Sequence, residues 1–362
     1  MEYTKVMITG YDGSRAFVKE KTGTENYSYQ LLRALAEIDQ KNTYKVYVRP
    51  GFSLEEKWPS NFQFSVLNFQ YLWTQIGLGL QTFKEKLDVL FVPAHTLPII
   101  HKPGLKTVVT VHDLGAEYLP KMHQLKQQLY LKYITKYQLT SATKLIAVSK
   151  ATKGDLVKKV GIDPKKVAVI YEGFNQDFKP AKTDIKSYSK EWYYLFVGTI
   201  QPRKNLERII EAFSRQTSVL RLLIVGGKGW LSDDIYQLPK KLGIEERVKF
   251  LGHVADEELA KLYSGAEALL FPSLFEGFGL PILEAQVCGC PVLTSNISSM
   301  PEVAGKGAIL VDPHSVDDIV KGMERVQNAE LRVKNIKLGF KNVKRFSWEK
   351  AAKETLAILE KI

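Results

Sequence analysis

An α/β fold of two doubly wound domains in series is what this sequence predicts, and three observations predict it. The chain has 362 residues, more than one hydrophobic core usually organises. Short apolar runs alternate with longer amphipathic segments over almost the whole length, the pattern of parallel strands covered by helices. The periodicity then fails across residues 175–191, a charge-rich stretch containing Pro180, which reads as a linker.

In the first half, strands are expected at residues 5–9, 44–48, 89–92, 106–111, 145–148 and 167–170. The clearest helix there spans 24–37: Tyr27, Leu31, Leu32 and Leu35 share one face, with Gly23 and Thr24 at its start. In the second half, strands are expected at 192–197, 221–225, 248–251, 268–271, 291–294 and 308–311. Helices are expected at 204–214, 257–266, 281–287 and 316–328. A last helix begins near Ser347, which can cap it, with Glu349 in its first turn and Ala351, Leu356 and Leu359 on an apolar face.

Composition narrows the class. Hydrophobic residues make up 45% of the chain, as in a soluble globular protein, and no apolar run reaches the roughly 18 residues of a membrane span. The N-terminus leads straight into a strand, so the chain reads as uncleaved and cytoplasmic. Cys288 and Cys290 are too close for good disulfide geometry and too few for a structural zinc, which leaves two buried thiols.

The formal charge is +12, and Lys121, Lys126, Lys132, Lys136, Lys144, Lys150, Lys153, Lys158 and Lys159 are opposed within their segment by Asp155 alone. Such a field suits nucleic acid, anionic lipid or phosphorylated substrates, and a merely solvated lysine surface equally well. No helix-turn-helix, RNA-recognition or zinc-finger signature accompanies it, so nucleic acid is not an expected partner. Neither Gly10-Tyr11-Asp12-Gly13 nor Gly226-Gly227-Lys228-Gly229 completes a dinucleotide fingerprint, which disfavours redox chemistry.

The chemistry concentrates at residues 271–285. A strand ends at Phe271, a glycine-containing loop follows, and Pro281 suits the first position of a helix. The amides of Gly277, Phe278, Gly279 and Leu280 then stand at a positive helix terminus, which suits phosphate or sugar oxygens. Glu276 falls at the loop tip, placed to accept from sugar hydroxyls, and Glu284 lies one turn into the helix, where a carboxylate can hold a ribose diol. Spacing alone also fits two ordinary acids at a helix terminus. Arg203 and Lys204 follow the first strand of the second half, at the carboxyl edge where such sheets bind ligands, and place two cations there. His112 follows another strand and precedes Asp113; a lone histidine there is more often held by its neighbours than catalytic. Asp233-Asp234 and Asp317-Asp318 read as helix-start residues, and no metal is expected, since a hard cation needs several oxygen ligands.

Taken in context, the motifs resemble one family. Glu276-x7-Glu284 within Phe-Glu-Gly-Phe-Gly-Leu-Pro resembles the signature of family 4 of the retaining glycosyltransferases, the group 1 family with the GT-B fold. The likeness extends to Gly198-Thr199-x-x-Pro202-Arg203-Lys204-Asn205, to Phe250-Leu251-Gly252-His253-Val254 and to Val111-His112-Asp113-Leu114. It implies two Rossmann-like domains facing across a cleft, residues 1–178 on the acceptor side and 179–345 on the nucleotide side, with a helix over 346–362 packing back on the first. It places Val254 near the base, Glu284 on the ribose, Arg203 and Lys204 on the diphosphate, and Glu276 with Gly277, Phe278, Gly279 and Leu280 on the transferred sugar. Gly23, Thr24 and His112 would complete the sugar pocket and receive the acceptor. Thr199 departs from the arginine many relatives carry after this glycine, which puts the diphosphate on Arg203 and Lys204.

The resemblance further implies retention of configuration without a cofactor or metal, by same-face departure and attack. The Gly-Thr-x-x-Pro-Arg-Lys-Asn variant resembles bacterial mannosyltransferases of surface polysaccharide assembly, making GDP-mannose the first donor and UDP-glucose the next. The acceptor would be a glycan or lipid-linked sugar met at the inner face of the membrane, with residues 121–159 against anionic lipid and the aromatics of 70–73 as a lesser contact. A UDP-sugar transferase with a soluble acceptor, an epimerase or phosphorylase of the same fold, a basic nucleic-acid binder and a silent sugar-binding relative are the rivals.

Overall fold

A computed structural model describes residues 6–18, 23–54, 56–94, 96–114, 135–181, 192–217 and 220–362. The chain divides into two compact units, one of Met1–Gly173 with Phe346–Ile362 and one of Phe174–Arg345. Most of the expected linker, and Lys121, Lys126 and Lys132 of the basic segment, lie outside the described residues.

The first unit is built on a parallel seven-stranded sheet in the order β3-β2-β1-β4-β5-β6-β7. Its strands are β1 (Ile8–Asp12), β2 (Thr43–Val48), β3 (Phe62–Val66), β4 (Val89–Val92), β5 (Lys106–Val111), β6 (Lys144–Ala147) and β7 (Val167–Val169). β1 is central and pairs in parallel with β2 on one side and β4 on the other. All four residues of β4 are buried, as expected of a strand covered on both faces. The helices α1 (Gly23–Ile38), α2 (Gly79–Lys84) and α3 (Lys150–Asp155) pack in this unit, and Tyr27, Leu31, Leu32 and Leu35 of α1 are fully buried, the face read from their spacing. β1 is displaced toward the C-terminus of its expected span, so that Gly10, Tyr11 and Asp12 are strand and not turn.

β3 has no counterpart among the strands expected from the sequence. It is a short edge strand with Phe62 buried and its outer residues partly wet, so it shows neither a continuous apolar run nor a clean alternation. Its pairing with β2 is completed by aromatic packing, Tyr44 on Phe62 at 4.3 Å and Phe52 on Phe64 at 5.5 Å.

The second unit carries a parallel six-stranded sheet in the order β10-β9-β8-β11-β12-β13. The strands are β8 (Tyr193–Val197), β9 (Arg221–Val225), β10 (Val248–Gly252), β11 (Ala268–Phe271), β12 (Val292–Ser295) and β13 (Ile309–Val311). Around it run α4 (Leu206–Ser214), α5 (Asp233–Lys241), α6 (Asp256–Gly265), α7 (Leu280–Val287), α8 (Met300–Ala304), α9 (Val316–Val326) and α10 (Ala329–Val343). The helix expected over 316–328 is α9, which stops at Val326; α10 was not among the expected helices, and Asn328 accepts a hydrogen bond from the Leu331 amide to start it. Asparagine favours that cap over the helix interior, which is why the break falls there.

The last helix, α11 (Trp348–Lys361), packs on α1 of the first unit. Ser347 caps it through the Lys350 amide, and Glu360 near its end accepts from the Asn42 amide at 3.2 Å. At Gly173 a Cβ would lie 2.3 Å from the Trp348 nitrogen, so only glycine admits this approach of backbone to backbone. Among the described residues, no helix is long and apolar enough to cross a membrane.

Candidate functional site

In each sheet the strand order reverses once, between β1 and β4 and between β8 and β11, and ligands of open parallel sheets bind outside the carboxyl ends at such a point. In the second unit the two loops leaving that point are 198–205 and 272–279, which contain Thr199, Arg203, Lys204, Glu276, Gly277, Phe278 and Gly279. They are laced together: the Leu274 amide donates to the Arg203 carbonyl at 2.9 Å, and the Asn205 side chain donates to the carbonyls of Pro272 and Pro313 at 2.9 and 2.7 Å. Asn205 holds a left-handed conformation at φ 63°, one that asparagine tolerates better than most residues. It therefore closes the 3₁₀ turn Pro202–Lys204 and fixes where Arg203 and Lys204 project.

Both cations converge on Glu276. Arg203 Nη1 donates to Glu276 Oε2 at 2.7 Å, and Lys204 Nζ lies 2.6 Å from Oε1. Glu276 is buried, which by itself raises a carboxyl's pKa; the charges of Lys204 and Arg203 overcome that and hold it below the ordinary value. Lys204 also stands over the Phe271 ring at 5.0 Å. The two cations meet this carboxylate at the N-terminal end of α4, where the helix dipole favours an anion. Glu276 is the group that compensates those cations in the free protein.

The loop before α7 is held from behind by residues that sequence reading missed. Ser298 Oγ donates to the Glu276 carbonyl at 2.8 Å, and Ser299 Oγ donates to the Phe278 carbonyl at 2.7 Å. A trans peptide carries its carbonyl and the following N–H on opposite sides, so the amides of Gly277 and Gly279 point away from those serines. Gly279 precedes α7 at φ 112°, a conformation reserved for glycine, and Leu280 opens the helix.

Glu284 stands on α7 and accepts a hydrogen bond from the Tyr263 hydroxyl of α6 at 2.9 Å. Burial raises its pKa to about 7, with the charge of Asp256 adding and the Tyr263 hydrogen bond opposing. Tyr263 is fully buried, and nothing in the spacing of α6 distinguishes it from a core aromatic. Val254 follows β10 and is half-buried, and Thr199 is exposed just after β8. Asp233 lies 2.5 Å from Lys228 and Asp317 2.6 Å from Arg215, while Asp318 accepts from the Asp312 amide, so these acids have partners of their own. Cys288 and Cys290 are buried and unbridged.

In the first unit, His112 leaves β5 beside the end of β4. Its Nε2 is 2.9 Å from the Pro93 carbonyl and its Nδ1 3.3 Å from Glu172. Burial lowers its pKa, but Glu172, the Pro93 carbonyl and Asp113 together raise it above the ordinary value. The Tyr27 ring packs edge-on against His112 at 4.6 Å and meets Trp348 of α11 at 5.6 Å. Gly23 and Thr24 begin the same helix, α1, one turn before Tyr27; Gly23 is exposed, and the Thr24 carbonyl accepts from Ser28. Of the described basic-segment lysines, Lys144 and Lys153 donate to the carbonyls of Lys165 and Val167 at 2.7 Å, and Lys159 lies 3.4 Å from Asp155. Trp73 is buried, whereas Tyr71 and Leu72 are exposed. A cavity of 510 Å³ lined by Met7, Asn42, Asp88 and Glu360 lies at the opposite, amino end of the first sheet's strands.

Comparison with known proteins shows the family. Residues 177–354 match the family "Glycosyl transferases group 1", and residues 21–178 match "Glycosyltransferase Family 4". The chain is 30% identical over 263 residues to O-antigen chain mannosyltransferase B of Escherichia coli, covering 69% of each. It is 29% identical over 336 residues to O-antigen chain mannosyltransferase RfbU of Salmonella typhimurium, covering 88% of this chain and 91% of that one. Among solved structures it superposes on Anabaena Alr3699/HepE in complex with UDP and glucose with a TM-score of 0.77 at 18% identity, over 99% of this chain and 100% of that one.

Proposed function

This chain belongs to the group 1 glycosyltransferases of family 4, with the GT-B fold, and on that premise we propose that it transfers a mannosyl group from GDP-mannose to a glycan or lipid-linked acceptor with retention of configuration. The observation that carries the donor site is the Arg203–Glu276–Lys204 cluster at the switch point of the second sheet. A diphosphate takes the place of the carboxylate at the two cations, and Glu276, released from them, accepts from hydroxyls of the transferred sugar. The amides of Gly277 and Gly279 meet the same sugar, Glu284 holds the ribose diol, Val254 meets the base and Thr199 lines the approach to the diphosphate. Tyr263 is a positioning residue: it occupies one oxygen of Glu284 and turns the other toward the ribose. In the first unit, His112, Gly23 and Thr24 are assigned to the sugar and the acceptor.

As the glycosidic bond breaks, the leaving diphosphate gains charge, which Arg203 and Lys204 stabilise, and the acceptor hydroxyl attacks the oxocarbenium-like carbon on the face the leaving group departs from. These cations perform the charge neutralisation for which other transferases use a divalent ion. The mannosyl donor rests on the likeness to the two O-antigen mannosyltransferases, and the work is assigned to the cytoplasmic side, where nucleotide sugars are made.

The test is a thermal-shift screen of GDP-mannose, GDP, UDP-glucose and UDP, followed by turnover with the stabilising donor before and after EDTA. A donor at 100 times its dissociation constant stabilises by about 2.7 kcal/mol. GDP-mannose is expected to stabilise most and turnover to survive EDTA. Preference for UDP-glucose would overturn the donor, and loss of turnover restored only by a divalent ion would overturn the cationic mechanism.

A further inference from the structure

The first unit exposes an apolar ridge on the helical run between β3 and β4. A π-helical segment, Trp73–Leu78, continues directly into α2, and while Trp73, Leu78 and Thr82 of this run are buried, Leu72, Ile76, Leu80 and Phe83 are exposed at spacings of four, four and three residues. That spacing sets them on one side of the run. The chain after β4 lies alongside: the Ile99 amide donates to the Gln75 side chain at 2.9 Å, the Lys102 amide to Thr82 Oγ1 at 2.9 Å, and a Cβ on Gly79 would meet the Ile100 carbonyl at 2.7 Å. Ile99 and Ile100 are exposed too, Ile100 at 71%, so six large apolar side chains share one surface. Leu72, 64% exposed, sits at φ 49°, a left-handed conformation costly for leucine. Water offers no return for an apolar side chain held out at that cost.

The rim of the ridge is basic. Lys84 and Lys86 end the run and Lys102 flanks it, all exposed, and none of these ammoniums pairs with a carboxylate among the described residues. The nearby acids are engaged elsewhere: Glu85 accepts from Gln81 and lies 3.7 Å from Lys45, and Asp88 accepts from the Ile8 amide.

We propose that this ridge, Leu72, Ile76, Leu80 and Phe83 with Ile99 and Ile100, docks the enzyme on the surface of an anionic bilayer, the apolar side chains entering the headgroup boundary and Lys84, Lys86 and Lys102 meeting the lipid charge. An apolar stripe bordered by lysines is the arrangement an interfacial helix uses. Pairing with a second copy of the same face would instead bring these lysines against their like. The surface differs from the basic segment 121–159 and is independent of the donor assignment.

The experiment is sedimentation of the full chain with vesicles of phosphatidylglycerol and phosphatidylcholine, and of phosphatidylcholine alone, over a salt series without nucleotide sugar. The wild type is expected to bind the anionic vesicles, more weakly as salt rises. Leu80→Glu with Phe83→Glu is expected to lower partitioning at least about 10-fold, and Lys84→Glu with Lys102→Glu to remove the anionic preference and the salt dependence. Unchanged melting temperature and unchanged turnover of a soluble acceptor show that these variants are folded. The proposal is overturned if the wild type ignores anionic vesicles at low salt, if Leu80→Glu with Phe83→Glu binds them equally well, or if light scattering shows a dimer that this double variant dissolves. Because binding is read without donor, its failure leaves the transfer reading standing, and the reverse.

Discussion

Each sheet reverses its strand order once, and the charged groups beside the two switch points differ. Near β4, His112 is held between the Pro93 carbonyl and Glu172, both nitrogens satisfied, with Tyr27 and Trp348 propping the ring. Near β11, Arg203 and Lys204 both pair with the carboxylate of Glu276 at the start of a helix. The first holds one imidazole between two acceptors; the second joins two cations to one acid, and the proposed donor site requires that acid to yield them to a diphosphate. The fold supplies the location in both units, and the proposal assigns the anion to the second, where two cations meet.

The sharpest way to break that contrast is Glu276→Ala. It removes the sugar-facing acid while leaving both cations, so kcat is expected to fall by about 1,000-fold and nucleoside diphosphate affinity to change by less than about 10-fold. Steady-state kinetics with calorimetry measures both, and an active variant would remove Glu276 from the chemistry.

Glu284→Gln comes next, with donor affinity expected to drop about 10- to 100-fold as a charged acceptor of the ribose diol becomes neutral. The pH profile carries the sign. Glu284 has a midpoint of about 7 in the folded chain against an ordinary 4.5. Its carboxyl is therefore charged at a cost that is absent below pH 4.5 and fully present above 7, so this group's effect on stability worsens as pH rises between them. Donor affinity should move the other way, rising through about pH 7 as the carboxylate forms. Glu284→Gln should flatten the affinity profile and raise the melting temperature above neutral pH; a profile unchanged in the variant would place the titration elsewhere.

The smallest effect is expected of Tyr263→Phe. Donor KM should rise about 3- to 10-fold with kcat little changed, since the hydrogen bond positions an oxygen that binds and does not react. The hydroxyl lowers the Glu284 midpoint, so its removal should shift the affinity profile toward higher pH. A KM change without that shift would mean that Tyr263 serves only packing.

Much of this was legible in the residues. Continuous runs such as Val89–Val92 and Ala268–Phe271 show buried parallel strands without ambiguity, and Glu276, Arg203 and Lys204 stood out because charged groups beside a strand's carboxyl end need a reason to be there. β3 did not show, because an edge strand need only be half apolar. α10 did not show, because the residues it buries, Asn335, Gly339, Asn342 and Val343, make no apolar stripe. Glu172, Ser298 and Ser299 escaped because their partners lie 60, 22 and 21 residues away, and no local spacing encodes such distances. Tyr263 escaped for a related reason: its ring belongs to the core and only its hydroxyl serves the site. The direct contact between both cations and Glu276 was not foreseen either, since sequence reading had assigned the cations to phosphate and the acid to sugar as separate duties.

The central claim is that the pair of cations held by Glu276 is the seat of the donor diphosphate. Isothermal titration of GDP and UDP into the wild type and into Arg203→Ala with Lys204→Ala tests it most directly, with a melt confirming that the double variant is folded. Nucleoside diphosphate binding is expected in the wild type and a loss of at least about 100-fold in the double variant, the size of two charge-assisted contacts. Equal affinity in both proteins would contradict the account and send the search for the diphosphate to another edge of the sheet.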